Sequence, residues 1–169
     1  MVLIEGSPGI GKTTFCLNFA NKWARERSAE NSQLSINFEL VLLLNCQDFE
    51  GDVMEAICNQ LLPEDCDEKI RNDLVDFLKD VHNQEKVLLI LDGLDELPTR
   101  SKCHVDKLLN RQILPFCFVL VTCRQERGIS ARKEFQFEIH FQIEGFTNKA
   151  ASDFVMRYFE NISPTNGQK

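Results

Sequence analysis

The chain has 169 residues, 43% of them hydrophobic, which suits one domain whose core needs no disulfide or metal staple. Its 26 acidic residues against 19 basic ones leave a formal charge of -7, a balance that opposes non-specific attachment to nucleic-acid phosphates. The longest apolar stretch, Ile113 to Val121, contains Pro115 and is too short to cross a bilayer, and Glu5 interrupts the first apolar run before a signal-peptide core can form, so no exported or membrane-spanning segment is expected.

Val2 to Glu5 is a short apolar run ending at Gly6, and Gly11 to Arg27 carries Phe15, Phe19 and Trp23 four residues apart. The expectation is a strand, a glycine-rich turn and a helix whose aromatic stripe lies in the core rather than in a base-stacking platform. The polar stretch 28–35 reads as a loop, and Phe38 to Leu44 as a second strand. Val53, Ile57 and Leu61 share one helical face, Ile70, Leu74, Phe77 and Leu78 another, and Pro63 separates the two helices. Lys86 to Leu91 gives a third strand, Lys102 to Asn110 a helix, and Phe116 to Thr122 a fourth strand. Phe135 to Ile143 gives a fifth, alternating from Phe137. After Gly145, residues Ala151, Phe154, Val155, Tyr158 and Phe159 mark a last amphipathic helix that 163–167 ends. Strands apolar on both faces, alternating with helices, imply an α/β three-layer sandwich around a five-stranded, mainly parallel sheet.

The seven cysteines form no C-x-x-C pair and no zinc-like Cys/His spacing. Free, reduced core thiols and a reducing compartment are therefore expected, and the sequon at Asn161 is read as unused.

Gly6-Ser7-Pro8-Gly9-Ile10-Gly11-Lys12-Thr13 matches the phosphate-loop pattern G-x-x-x-x-G-K-[ST] in full, after a strand and before a helix as that motif requires. Its glycines let successive N–H groups turn toward phosphate oxygens, and the helix beginning near Lys12 adds its positive dipole end. Lys12 is expected to reach the outer phosphates, Thr13 to offer its hydroxyl to a magnesium ion, and Thr14 to touch an inner phosphate. A second element is the apolar run ending in Asp92, at the strand end where open α/β sheets bind ligands. Asp92 is expected to hold magnesium through water, and Asp95 and Glu96 to position or deprotonate an attacking water. Thr122 to Arg124 end the fourth strand, where Arg124 can reach a terminal phosphate.

Together with Trp23-Ala24, Phe38-Glu39-Leu40-Val41, Leu89 to Leu97, Val121 to Arg124 and Glu144-Gly145-Phe146, these residues resemble the NACHT domain, the nucleotide-binding module of NOD-like receptors and related signal-transduction P-loop ATPases. The likeness covers nearly the whole chain, and the tandem acidic motif with a small residue at Gly93 is its most specific part. What the resemblance implies is a cytoplasmic ADP/ATP switch, held inactive with ADP. On exchange for ATP it opens and self-associates into a signalling oligomer in innate immune or cell-death signalling.

By the same resemblance Lys12 and Thr13 bind phosphate and magnesium, Asp92 organises the metal and Arg124 is the sensor. The implied sheet is of the P-loop NTPase, ASCE/AAA+-like type, with the sensor strand between the phosphate-loop strand and the strand ending at Asp92. The chain is then a NACHT domain truncated at both ends, with its core over 1–145 and the start of a following helical region over 146–169. Hydrolysis is expected to be slow, because Gly93 stands beside Asp92 where vigorous ATPases of the wider class carry Glu. Cys123 and Gln125 flank Arg124, whereas the family usually has serine before the sensor and often proline after it.

Two other readings use the same loop. A small-molecule kinase would pass the phosphate to an acceptor. A GTPase would need an aspartate that Asn148-Lys149-Ala150-Ala151 lacks in fourth place.

Overall fold

The chain is described by a computed structural model over residues 1–27, 38–145 and 148–162. Among the described residues five segments form strands: β1 (Val2–Glu5), β2 (Leu40–Asn45), β3 (Val87–Asp92), β4 (Phe118–Cys123) and the exposed, alternating β5 (Ile139–Gln142). They pair in the order β2-β3-β4-β1-β5, every pair parallel. This is the α/β, P-loop NTPase type of sheet expected from the sequence, with β4 between β1 and β3.

Among the described residues seven α-helices join and cover the strands: α1 (Lys12–Arg27), α2 (Val53–Leu61), α3 (Glu68–Lys79), α4 (Val81–Gln84), α5 (Lys102–Leu109), α6 (Gln125–Glu134) and α7 (Asn148–Ile162). Their starts are set locally. Asp52 accepts from the backbone N–H groups of Met54 and Glu55 while Glu55 accepts from Asp52 N–H, a capping box that opens α2. Asp67 and Asp80 cap α3 and α4 in the simpler way, each such cap contributing about 1 kcal/mol.

Residue parity divides the core. Leu3, Leu44, Leu89 and Val121 face one side of the sheet, where Ile57 of α2, Leu78 of α3, Leu108 of α5 and Ala131 of α6 cover them. Ile4, Leu88, Ile90 and Leu120 face the other side, where Cys16 and Phe19 of α1 pack. Helices on both faces make three layers.

Three sequence expectations change. In α1 the sheet-facing stripe is Cys16, Phe19 and Trp23, spaced three and four apart; Cys16 is buried and the Trp23 indole donates to the Phe38 carbonyl at 3.1 Å, whereas Phe15 lies to one side, 41% exposed. The fifth strand is only four residues long: Phe135 closes α6 as its C-cap, its N–H donating to the Ala131 carbonyl, and pairing with β1 starts only at Ile139, opposite Val2. Nothing in the sequence marks α6 as a helix: its two buried positions are Gly128 and Ala131, too small to give an apolar pattern. Cys16, Cys46, Cys58, Cys117 and Cys123 are buried, as expected of core thiols, but Cys66 is half-buried and Cys103 exposed. The loop read at 28–35, the helix stop at 163–167, Phe146 and the side chains of Tyr158 and Phe159 lie outside the described residues. Among the described residues no helix is long and apolar enough to cross a membrane.

Candidate functional site

The C-terminal ends of β1, β3 and β4 surround a cleft of about 260 Å³. One wall is the β1–α1 turn, with Pro8, Gly9 and Gly11, followed by Lys12, Thr13 and Thr14 at the start of α1. The other is Asp92 and Gly93 at the end of β3, Asp95 and Glu96 one turn on, and Arg124 just past β4. A larger, mainly apolar pocket of about 390 Å³ lies at the opposite ends of the strands, between Phe19, Phe38 and Phe118. Its lining carries two charged side chains, Arg111 and Glu138, but no glycine-rich turn.

The turn takes its shape from Gly9 and Gly11, at φ 71° and 106°, where a side chain would strain the backbone. A Cβ added at either would meet nothing within 4 Å, so the space above the loop is open. Gly6 has a different reason to be glycine: a Cβ there would stand 2.8 Å from Ile10 Cγ2 and 3.2 Å from the Ile143 carbonyl. Gly6 is thus packed beneath the loop against Ile10 and Ile143, while Pro8, Gly9 and Gly11 line the cleft. The carbonyls of Gly6 and Ser7 accept from Lys12 Nζ at 2.8 and 3.1 Å, which folds the ammonium back onto its own loop.

Across the cleft Asp92 is 9% exposed. Its Oδ1 accepts from Thr122 Oγ1 at 2.5 Å and from the Cys16 thiol at 3.8 Å. Burial, and then the charge of Asp92, pushes the Cys16 thiol up to about 12. Burial likewise pushes Cys46 up, with Asp92, Asp95 and Glu96 adding to the effect, and Cys123 up to about 12. These thiols are neutral packing groups next to a negative centre.

Gly93 turns the chain at φ 81° into a 3-10 turn, Leu94–Glu96, that brings both acids to Arg124. Arg124 donates from Nε to Asp95 Oδ2 at 2.8 Å and stands 3.4 Å from Glu96 Oε1. So the three side chains expected to handle the terminal phosphate and its attacking water are paired with one another. Thr122 and Cys16 are additions: each lies inside an apolar segment, and only the fold brings them to Asp92.

The donor set fits a magnesium polyphosphate. Thr13 and Asp92 supply hard oxygen atoms on facing walls, beside an open loop and a helix N-terminus. Among the described residues no group of three or more His, Cys, Asp and Glu could hold a metal ion unaided. A small hard cation would thus depend on phosphate oxygens and water for its remaining ligands.

Comparison with known proteins agrees with this geometry. The sequence model of the NACHT domain matches residues 1–162. The chain is 26% identical over 179 residues to "NACHT, LRR and PYD domains-containing protein 9" of Bos taurus, covering 94% of this chain and 17% of that protein. It is also 26% identical over 183 residues to "Protein NLRC5" of Ictalurus punctatus, covering 95% of this chain and 10% of that protein. Among solved structures the RuvB Holliday junction branch migration motor of Thermotoga maritima superposes with a TM-score of 0.52 at 16% identity, over 95% of this chain and 43% of that one. That likeness concerns the fold alone.

Proposed function

The chain belongs to the NACHT domain family, and from that premise we propose that it is the nucleotide-binding core of a NOD-like receptor type protein, a switch read by ADP and ATP. The observation that carries this reading is the convergence of Lys12 and Thr13 from one wall and Asp92 from the other on a single open cleft. The glycine-shaped loop and the first turn of α1 would hold the phosphates, with Lys12 leaving the Gly6 and Ser7 carbonyls for the outer phosphate oxygens. Thr13 and Asp92 would hold magnesium, which when bound neutralises phosphate charge. Arg124 would report the terminal phosphate, and Glu96 would orient water for slow hydrolysis.

The chain spans 17% and 10% of the two relatives. We assign the activating stimulus, self-association into a signalling oligomer and the intracellular setting to the larger protein in which such a core works. Residues 1–145 would be the nucleotide core, and 146–169 would open the next helical region.

The test is a titration of the full-length protein with ADP, ATP and GTP, with and without magnesium. Tight adenine-nucleotide binding that magnesium strengthens, and that Asp92→Asn makes indifferent to magnesium while the fold persists, is the expected result. Binding that Asp92→Asn leaves as magnesium-dependent as wild type would remove Asp92 from the metal site.

A further inference from the structure

Thr122 stands on β4 among buried apolar residues and is itself 0% exposed. A hydroxyl buried there costs free energy unless both its donor and acceptor capacities are used. Both are. Gly93 N–H donates to Thr122 Oγ1 at 2.9 Å, and Thr122 Oγ1 lies 2.5 Å from Asp92 Oδ1. An amide hydrogen already points at the hydroxyl oxygen, so the hydroxyl proton goes to the carboxylate. The short separation is that of a hydrogen bond to an ionised acceptor.

The Cys16 thiol approaches the same atom, Oδ1. Among the described residues the hydrogen bonds to this carboxylate therefore fall on one oxygen, and Oδ2 is left for the cleft that Asp92 lines. The same hydroxyl anchors the first amide of the left-handed Gly93 turn, which carries Asp95 and Glu96 toward Arg124, two residues beyond Thr122 itself. One side chain thus ties the end of β3 to the end of β4.

We infer that Thr122 is a positioning residue, whose hydroxyl fixes the orientation of Asp92 and the Gly93 turn so that the cleft can accept a divalent cation with the nucleotide. This rests on the nucleotide reading above and goes beyond it, since that reading gives Thr122 no role. A threonine that served folding alone would lose stability on replacement by valine, which has nearly the same shape and no hydroxyl, but would leave the effect of magnesium unchanged.

The experiment compares wild type, Thr122→Val and Thr122→Ser in the full-length protein, with Thr122→Ala as a second deletion should valine not fold. The first readout is the magnesium gain, the ratio of ATP dissociation constants without and with magnesium. It is expected to fall about 10-fold in the valine or alanine variant, and to stay within about 2-fold of wild type in the serine variant. The second readout needs no nucleotide: hydrogen exchange at the Gly93 amide is expected to quicken at least about 10-fold without the hydroxyl and to recover with serine. A magnesium gain that survives in Thr122→Val, or is lost equally in Thr122→Ser, overturns the inference alone. A wild-type protein indifferent to magnesium overturns the nucleotide reading and the inference together.

Discussion

Arg124 grips Asp95 at two points: its backbone N–H donates to Oδ1 at 2.9 Å and its Nε to Oδ2 at 2.8 Å. Both oxygens of Asp95 are therefore engaged, and the guanidinium cannot turn fully to a phosphate while that grip holds. Glu96 meets the same arginine only at 3.4 Å and is the freer of the two acids.

Asp95→Asn is expected to release the arginine. The pair is partly solvated, so its worth is that of a surface ion pair, about 0.2–1 kcal/mol. ATP affinity should rise relative to ADP by up to about 5-fold in calorimetric titrations. An unchanged ATP to ADP ratio would show that Asp95 does not restrain the sensor.

Lys12→Ala should weaken ATP binding about 10- to 100-fold, because one charge-assisted hydrogen bond contributes roughly 1.5–3 kcal/mol. The folded protein should lose little, since among the described residues the hydrogen bonds removed are those with the Gly6 and Ser7 carbonyls of its own loop. Equal ATP affinity in the variant would sink the assigned role.

Glu96→Gln is expected to slow single-turnover hydrolysis more than it weakens binding, since the amide keeps the shape but cannot take a proton. Matching losses in both measurements would place Glu96 outside the chemistry.

These predictions draw unequally on sequence and structure. The phosphate loop and Asp92 are legible in the chain because each is a local pattern, glycines at fixed spacing or an acid closing an apolar run. The pairs Thr122–Asp92 and Arg124–Asp95 join positions about thirty residues apart, and only parallel pairing of β3 with β4 brings them together. Phe15, Phe19 and Trp23 look like one stripe by spacing. Which residues of α1 meet the sheet depends on how the helix rolls, and the roll that buries Cys16 beside Asp92 turns Phe15 outward. Helix α6 is silent for a different reason: the residues it buries, Ala131 and Gly128, are too small to mark an apolar face, and one of them is a glycine.

That glycine gives a stability prediction. Glu5, at the end of β1, is buried; its Oε2 accepts from Arg132 at 3.0 Å and bonds His140 Nε2 at 2.5 Å, while Oε1 has no hydrogen-bond partner among the described residues. A Cβ on Gly128 would overlap that Oε1 atom. Gly128→Ala should therefore destabilise the protein by about 1–3 kcal/mol in urea unfolding, through overpacking against a carboxylate held in place. A variant as stable as wild type would mean that α6 can lift off the sheet at no cost.

The buried thiols set an alkaline limit. In the unfolded chain a cysteine ionises near pH about 8.5, whereas burial pushes Cys16 and Cys123 up to about 12. The folded state thus holds protons that the unfolded state releases. The associated stability is complete below about pH 8.5 and is lost as pH rises toward about 12. Urea midpoints at pH 8 and pH 10.5 should differ, with the lower value at pH 10.5, and Cys16→Ala should make the slope shallower. A slope unaltered by that substitution would show that Cys16 ionises alike in both states.

The sheet order also governs biosynthesis. Among the described residues β1 pairs with β4 and β5, and both follow it in the chain by more than a hundred residues. A nascent chain must carry Val2 to Glu5 unpaired past the ribosome exit until β4 emerges. The segment that ends in the glycine-rich loop is therefore synthesised well before the strands that flank it and moulded late, and a chain halted before β4 would lack the wall of the cleft that carries Arg124.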